Sequence, residues 1–144
     1  MDKQQLRNRI RNCLEEQQHQ INLRKASIQQ RNNRSTKFYQ SGKWKHLRDN
    51  IMNNFPICYN CNKHGIITPA TELHHAIPFL SGDNEQQQWQ LFLDISNLVP
   101  LCEHCHKEIH RLMRANHRII DIRDTMDVLP QKIEENELKN NINK

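Results

Sequence analysis

Two Cys-x-x-Cys pairs, Cys58-Tyr-Asn-Cys61 and Cys102-Glu-His-Cys105, bracket a run of histidines in this 144-residue chain. Two such pairs can bring four thiolates to one tetrahedral ion while closing the loop of 40 residues, 62 to 101, between them. Four thiolates leave no open coordination position, so the Zn²⁺ expected there is structural, not catalytic. It would lower the thiol pKa values and add folding energy. A fifth cysteine, Cys13, lies apart on an apolar helical stripe and is read as a packing residue.

The histidines carry a second chemistry. In Glu72-Leu73-His74-His75-Ala76-Ile77-Pro78 two adjacent imidazoles fall on a short extended segment. They point to opposite sides, so one can hold a metal while the other faces a water. His106 follows Cys105 directly, where the zinc knuckle would set it at the start of a helix as a further ligand. His110, four residues on, shares its helical face, a recurrent way for two imidazoles to share an ion. Hydrolysis of a phosphodiester requires an activated water, stabilisation of charge at phosphorus and help for the departing 3′ oxygen; one metal and one base suffice.

These residues resemble a known family. His74-His75-Ala-Ile-Pro78 followed by Asn97-Leu98-Val-Pro-Leu-Cys102-Glu-His-Cys105-His106 is similar to the HNH signature of the ββα-metal nucleases. Phe38-Tyr39-Gln-Ser-Gly-Lys-Trp44-Lys-His-Leu47-Arg48 is similar to the segment ahead of the zinc site in small phage-type HNH endonucleases. The resemblance implies an α+β fold, two strands and a helix around one catalytic divalent ion, stapled by the four-cysteine zinc site. It implies His75 as general base, His74 and His106 as metal ligands, and His110 as a third ligand of the HxxxH subclass. Without the family, His110 reads as a surface histidine contacting phosphate. Asn97 matches the middle residue of the signature, whose amide ties the loop holding the base; otherwise it reads as a polar turn residue. The chain departs from the family in having His74 where Asp is common before the base, and in the length of its 76–96 segment. An open imidazole-and-oxygen site accepts Mg²⁺, Mn²⁺, Ni²⁺ or Zn²⁺.

The elements that must position these groups can be read from pattern. Leu6, Ile10, Cys13, Leu14, Ile21 and Ile28 recur at mostly helical spacing between Gln4 and about Gln30, predicting a helix with a thin stripe. Arg31 to Thr36 read as a linker, which gives a basic helical arm over 1–36, a nuclease domain over 37–120 and a partly disordered tail over 121–144. Ser41 caps a predicted helix from Gly42 to Asn54 that buries Trp44, Leu47 and Ile51. Pro56 to Cys61 read as a turn closed by Gly65, Ser81 to Gln88 as a polar loop, Trp89 to Ile95 as a short helix, and His106 to about Arg114 as the helix after the knuckle. His104 is expected to precede that helix.

The hydrophobic fraction of 35% with 6% aromatic is low for a self-sufficient core, which makes a metal staple the more needed. Residues 1–50 hold 12 Lys or Arg against 4 Asp or Glu, a charge of +8, so the remaining 94 residues carry −3 of the total +5. Phosphate-binding charge thus lies ahead of the histidines, with Lys37, Lys43, Lys45 and Arg48 as candidate DNA contacts. No stretch approaches the roughly 20 apolar residues of a membrane span, and reduced thiols fit a cytoplasmic location.

The expected activity is metal-dependent hydrolysis of DNA, by nicking or double-strand cleavage, of phage, mobile-element or defence type. The competing reading is a non-catalytic zinc-ribbon module that binds nucleic acid or a partner through the basic leader. RNA is disfavoured because no platform of interleaved aromatics is visible. The N-terminal helix is also a candidate for homodimer or larger-complex formation.

Overall fold

The computed structural model describes residues 1–131, in two compact units, Met1–Gln40 and the chain from Ser41 onward. The first unit is one helix, α1 (Lys3–Tyr39). Asp2 caps it, accepting from the Gln5 amide at 2.8 Å while the Gln5 side chain accepts from the Asp2 amide, a reciprocal capping box. The segment 31–36 is helical and does not form the expected linker. It contains no Pro or Gly, and the Ser35 and Thr36 hydroxyls bond back to the Asn32 carbonyl. Side-chain pairs at four-residue spacing, Gln4–Asn8, Gln18–Asn22 and Gln29–Asn33, support the helix along its length. Cys13 is exposed, so the packing reading of its thiol does not hold in α1.

The second unit begins where Ser41 accepts from the Trp44 amide at 3.2 Å to start α2 (Gly42–Asn54), as its N-cap position predicts. Trp44 and Ile51 are its buried residues. Cys58 caps a short helix, α3 (Tyr59–Lys63), where only a turn was expected. Gly65 then turns the chain with φ 79°, a left-handed conformation that favours glycine.

Strand β1 (Glu72–His75) pairs antiparallel with β2 (Leu98–Leu101), in the register Glu72 with Leu101, His74 with Val99 and His75 with Leu98. The polar stretch before Trp89 ends early: α4 (Glu85–Leu93) starts at Glu85 because Asn84 caps it through the Gln87 amide. Helix α5 (Glu103–Asn116) begins at Glu103, so His104 lies within it and donates from Nε2 to the Leu129 carbonyl at 3.0 Å.

The main core gathers around the cysteines: Cys58, Cys61, Cys102 and Cys105 with Val99, Leu101 and Ile109. Ile122 and Val128 complete it, at 0% and 2% exposure. The 121–131 portion of the expected tail is therefore structural; its 132–144 portion lies outside the described residues. Lys63 donates to the Ile122 and Thr125 carbonyls, and Arg123 donates to the Ser96 carbonyl at 2.6 Å, which anchors the segment from two sides. The pattern here was too short and irregular to read as an element. Burial of two isolated aliphatic side chains holds it together with these bonds.

Truncating Ile122 to Ala should therefore cost about 2–4 kcal/mol, the range for an aliphatic side chain deleted from a packed core. Urea unfolding of the metal-loaded protein measures it. A loss below about 0.5 kcal/mol, typical of surface positions, would remove the segment from the core.

Candidate functional site

The four sulfurs of Cys58, Cys61, Cys102 and Cys105 lie within 4.8 Å of one another, and all four residues are buried. The Cys61 sulfur stands 3.8 Å from that of Cys102 and 3.7 Å from that of Cys105. Four sulfurs bound tetrahedrally at about 2.3 Å from an ion would be about 3.8 Å apart. Disulfides are absent among these residues. Burial pushes the Cys61 thiol up to about 11 and raises that of Cys105 as well. For Cys58 burial also opposes ionisation, but hydrogen bonds from the backbone and side chains of Cys61 and Cys102 together outweigh it and lower the pKa. Buried thiols of this kind ionise together only around a cation, so the donor set fits a structural metal.

The N-termini of α3 and α5 deliver these sulfurs, since Cys58 and Cys102 are their N-cap residues. Asn60, fully buried, donates to the Cys105 sulfur at 3.4 Å and to the Val128 carbonyl at 2.9 Å. It thereby joins the sulfur cluster to the C-terminal segment.

His74, His106 and His110 form the second group, with one nitrogen from each within 4.8 Å of the others. The His74 ring lies 5.3 and 5.1 Å, centre to centre, from those of His106 and His110. The Nε2 atoms of His106 and His110 face each other at 3.0 Å, close to the roughly 3 Å separating two imidazole nitrogens that share an ion at right angles. The buried His74 Nε2 has no hydrogen-bond partner. Burial, reinforced by the nearby His110 and His106, lowers the His74 pKa to about 3, so its ring is neutral and carries a free lone pair. An orphaned nitrogen facing two imidazoles is what a divalent ion satisfies.

Glu72 adds a contact that the sequence reading passed over. Its carboxylate accepts from Nδ1 of His106, which fixes the His106 tautomer and turns the Nε2 lone pair toward the group. The signal was present in the two-residue strand period: Glu72 and His74 stand on one face of β1.

His75 points the other way. Its ring stacks on Phe92 at 4.9 Å and 17°, and on Trp44 at 5.5 Å and 26°, with Phe79 tilted against it at 5.1 Å. Nε2 donates to the Phe92 carbonyl at 3.1 Å, because a carbonyl only accepts. Nδ1 is then the nitrogen with the lone pair. Loss of water around the ring lowers its pKa from 6.5 to about 4, against the opposing pull of the Phe92 carbonyl.

Asn97 is buried and bonds across the hairpin. Its Oδ1 accepts from the Ile77 amide at 2.7 Å, and its Nδ2 donates to the Ile77 and Leu91 carbonyls, each at 3.0 Å. The loop after β1 is thus held to α4. Lys43 and Lys45 are exposed on α2, whereas Arg48 is half-buried and donates to the Thr71 carbonyl at 3.3 Å, just ahead of β1. Lys37 belongs to α1, with its ammonium 5.4 Å from the Phe38 ring centre.

The profile of the HNH endonuclease family matches residues 58–112, the stretch from the first sulfur ligand to the turn after His110. Residues 58–112 thus carry an HNH endonuclease domain. Among solved structures it is similar to an HNH endonuclease of the deep-sea thermophilic bacteriophage GVE2, crystallised with a manganese ion. The two are 26% identical with a TM-score of 0.51, over 65% of this chain and 96% of the phage protein. No curated protein matches. The small helix-rich fold with its two-stranded antiparallel sheet is the HNH fold, and the chain is a nuclease. Among the described residues no helix is long and apolar enough to cross a membrane.

Purified without added metal, the protein should retain one tightly held ion per chain in native mass spectrometry, and Cys105→Ser should lose it together with thermal stability. Full metal content in Cys105→Ser would remove the four-cysteine assignment.

Proposed function

We propose that the chain is a divalent-metal-dependent DNA endonuclease in which His75 is the general base and His74, His106 and His110 hold the catalytic ion. The observation that carries this reading is the split between neighbours: three imidazoles gather on one face of the hairpin while His75 lies on the other, its Nε2 bonded to the Phe92 carbonyl. When bound, a divalent ion at the three histidines supplies Lewis-acid stabilisation for the charge growing on the phosphate and on the leaving 3′ oxygen. Nδ1 of His75 takes the proton of the attacking water, and the Phe92 carbonyl steadies the ring as it becomes cationic. Asn97 keeps the loop beyond the base at a fixed distance from α4. Glu72 orients His106. Lys43, Lys45, Arg48 and Lys37 contact phosphates, which suits their charge and the exposure of the lysines.

The four cysteines hold zinc, and the catalytic ion is drawn from Mg²⁺, Mn²⁺, Ni²⁺ or Zn²⁺; the manganese in the phage relative makes Mn²⁺ the first to try. One ion and one base act on one strand per encounter, so nicking is the elementary event and double-strand breaks need a second copy. A phage, mobile-element or defence setting inside a bacterial cell fits a nuclease of this size. The non-catalytic zinc-ribbon reading has no use for three histidines gathered around a buried, unbonded His74 nitrogen.

Supercoiled plasmid with each divalent metal tests the proposal: wild type should nick it, and His75→Ala should lose about 10²-fold or more, the usual contribution of a general base. Equal cleavage by His75→Ala would sink the assignment. The base must be unprotonated, and burial holds its pKa near 4, so kcat/KM at saturating metal should stay high as pH falls through 6.5 and decline only toward about 4. An acid limb centred at 6.5 would mean a solvent-exposed base.

A further inference from the structure

The nuclease unit carries no net positive charge: residues 41–144 hold 12 Lys or Arg against 13 Asp or Glu. Attraction to a polyanion there depends on individual cations that no neighbouring acid neutralises. Helix α5, which carries His106 and His110, presents three exposed cations, Lys107, Arg111 and Arg114. Two of them are occupied. Lys107 donates to the Glu103 carboxylate at 2.6 Å, and Arg111 donates to Oε2 of Glu108 from two nitrogens, at 3.0 and 2.9 Å. Arg114 meets no carboxylate among the described residues.

Helical geometry sets where that guanidinium stands. Cys105 and Ile109, both fully buried, mark the core side of α5. Going round the axis from them, His106, His110 and Arg114 follow in order, about 40° apart. Arg114 is thus one turn, about 6 Å, beyond His110 and on the side of the histidines away from the core. An exposed helical side chain covers the surface N-terminal to its own Cα. Arg114 therefore reaches back over the turn of His110 and not out past the helix end.

We propose that Arg114 grips the phosphate next to the one at the three-histidine group, and so sets the register of the strand on the metal. The proposal rests on the reading of His106 and His110 as ligands of an ion that meets DNA. Arg114 and His110 are a full turn apart, so they meet successive phosphates of one strand and not a single phosphate together. The planar fork of a guanidinium suits a phosphate's paired oxygens. Lys107 and Arg111 share the outer side of the helix, but their charge is spent on Glu103 and Glu108. Arg114 is also the cation of the last turn, where positive charge favours the helix dipole. That role needs no DNA, and experiment separates the two.

Arg114→Gln and Arg111→Gln each remove one exposed positive charge from α5. Both are made in full-length, metal-loaded protein carrying His75→Ala, so that a labelled duplex stays uncut, and binding is followed by fluorescence anisotropy across a salt series. Arg114→Gln should lower the slope of log K against log salt by about one, while Arg111→Gln leaves it unchanged. Equal losses in the two variants would mean attraction by net charge. An unchanged slope with a lowered melting midpoint in Arg114→Gln would leave the residue its dipole role alone. Either result overturns the proposal. Arg114→Lys keeps the charge at the helix end but loses the fork, and should restore the slope with only part of the affinity. Nicking kinetics with Mn²⁺, on the background that retains His75, are the second measurement. Arg114→Gln should raise KM about three- to tenfold with kcat nearly unchanged, the effect of a charge-assisted bond made equally before and during reaction. A fall in kcat at constant KM overturns the assignment to a neighbouring phosphate. If the parent protein neither binds duplex in a salt-dependent way nor nicks it, the DNA reading falls and the contact with it. If the parent does both and Arg114→Gln matches it, the contact alone falls.

Discussion

Four buried sulfurs meeting at one point are the constraint from which the rest of the nuclease unit follows. The two strands are four residues each, and a lone two-stranded hairpin is marginal in water. What closes this one is the junction at its end: the Thr71 amide donates to the Leu101 carbonyl at 3.0 Å, and Cys102 follows at once. The same junction starts α5, where the His106 amide donates to the Cys102 carbonyl at 3.0 Å. His106 is therefore placed one turn beyond a sulfur ligand and opposite β1. Geometry at the histidine group is inherited from geometry at the sulfurs, so a disturbance at the cysteines reaches His106 and His110 through a single helical turn.

Much of this was legible before any coordinates. The spacing of Cys58, Cys61, Cys102 and Cys105 states a tetrahedral donor set regardless of what lies between. Four-residue spacing puts His106 and His110 on one face of any helix, and the two-residue period of a strand sends His74 and His75 apart. These are local periodicities, and local periodicity survives translation from sequence to structure because backbone geometry alone enforces it. The four-sulfur core accordingly appears where the cysteines imply it.

What was not legible depends on contacts between distant segments. The cage of Trp44, Phe79 and Phe92 around His75 draws on α2, the turn after β1 and α4, and no periodicity links those positions. The Lys63 and Arg123 bonds that seat the 121–131 segment span 59 and 27 residues respectively. A segment read as tail can still be core when two aliphatic side chains pack into the interior, as Ile122 and Val128 do. The helical course of 31–36 was missed for the opposite reason. Its polar residues carry no hydrophobic signal, yet they bond within the helix and contain nothing to break it.

The hairpin also separates two environments that need each other. On one face stand Glu72 and His74, backed across the strand pair by Val99 and Leu101 of the sulfur-centred core. On the other stands His75, opposite Leu98 and among aromatic rings. Metal ligand and base are thus joined by one peptide bond and divided by the plane of the sheet. A one-residue slip of β1 would exchange them, putting the base among the imidazoles and the ligand among the aromatics. Two features resist that slip. Asn97 holds both the amide and the carbonyl of Ile77 just beyond the strand, and Glu72 holds His106 at its beginning. Register is fixed at each end by a polar side chain because the four-residue strands are too short to fix it by pairing alone.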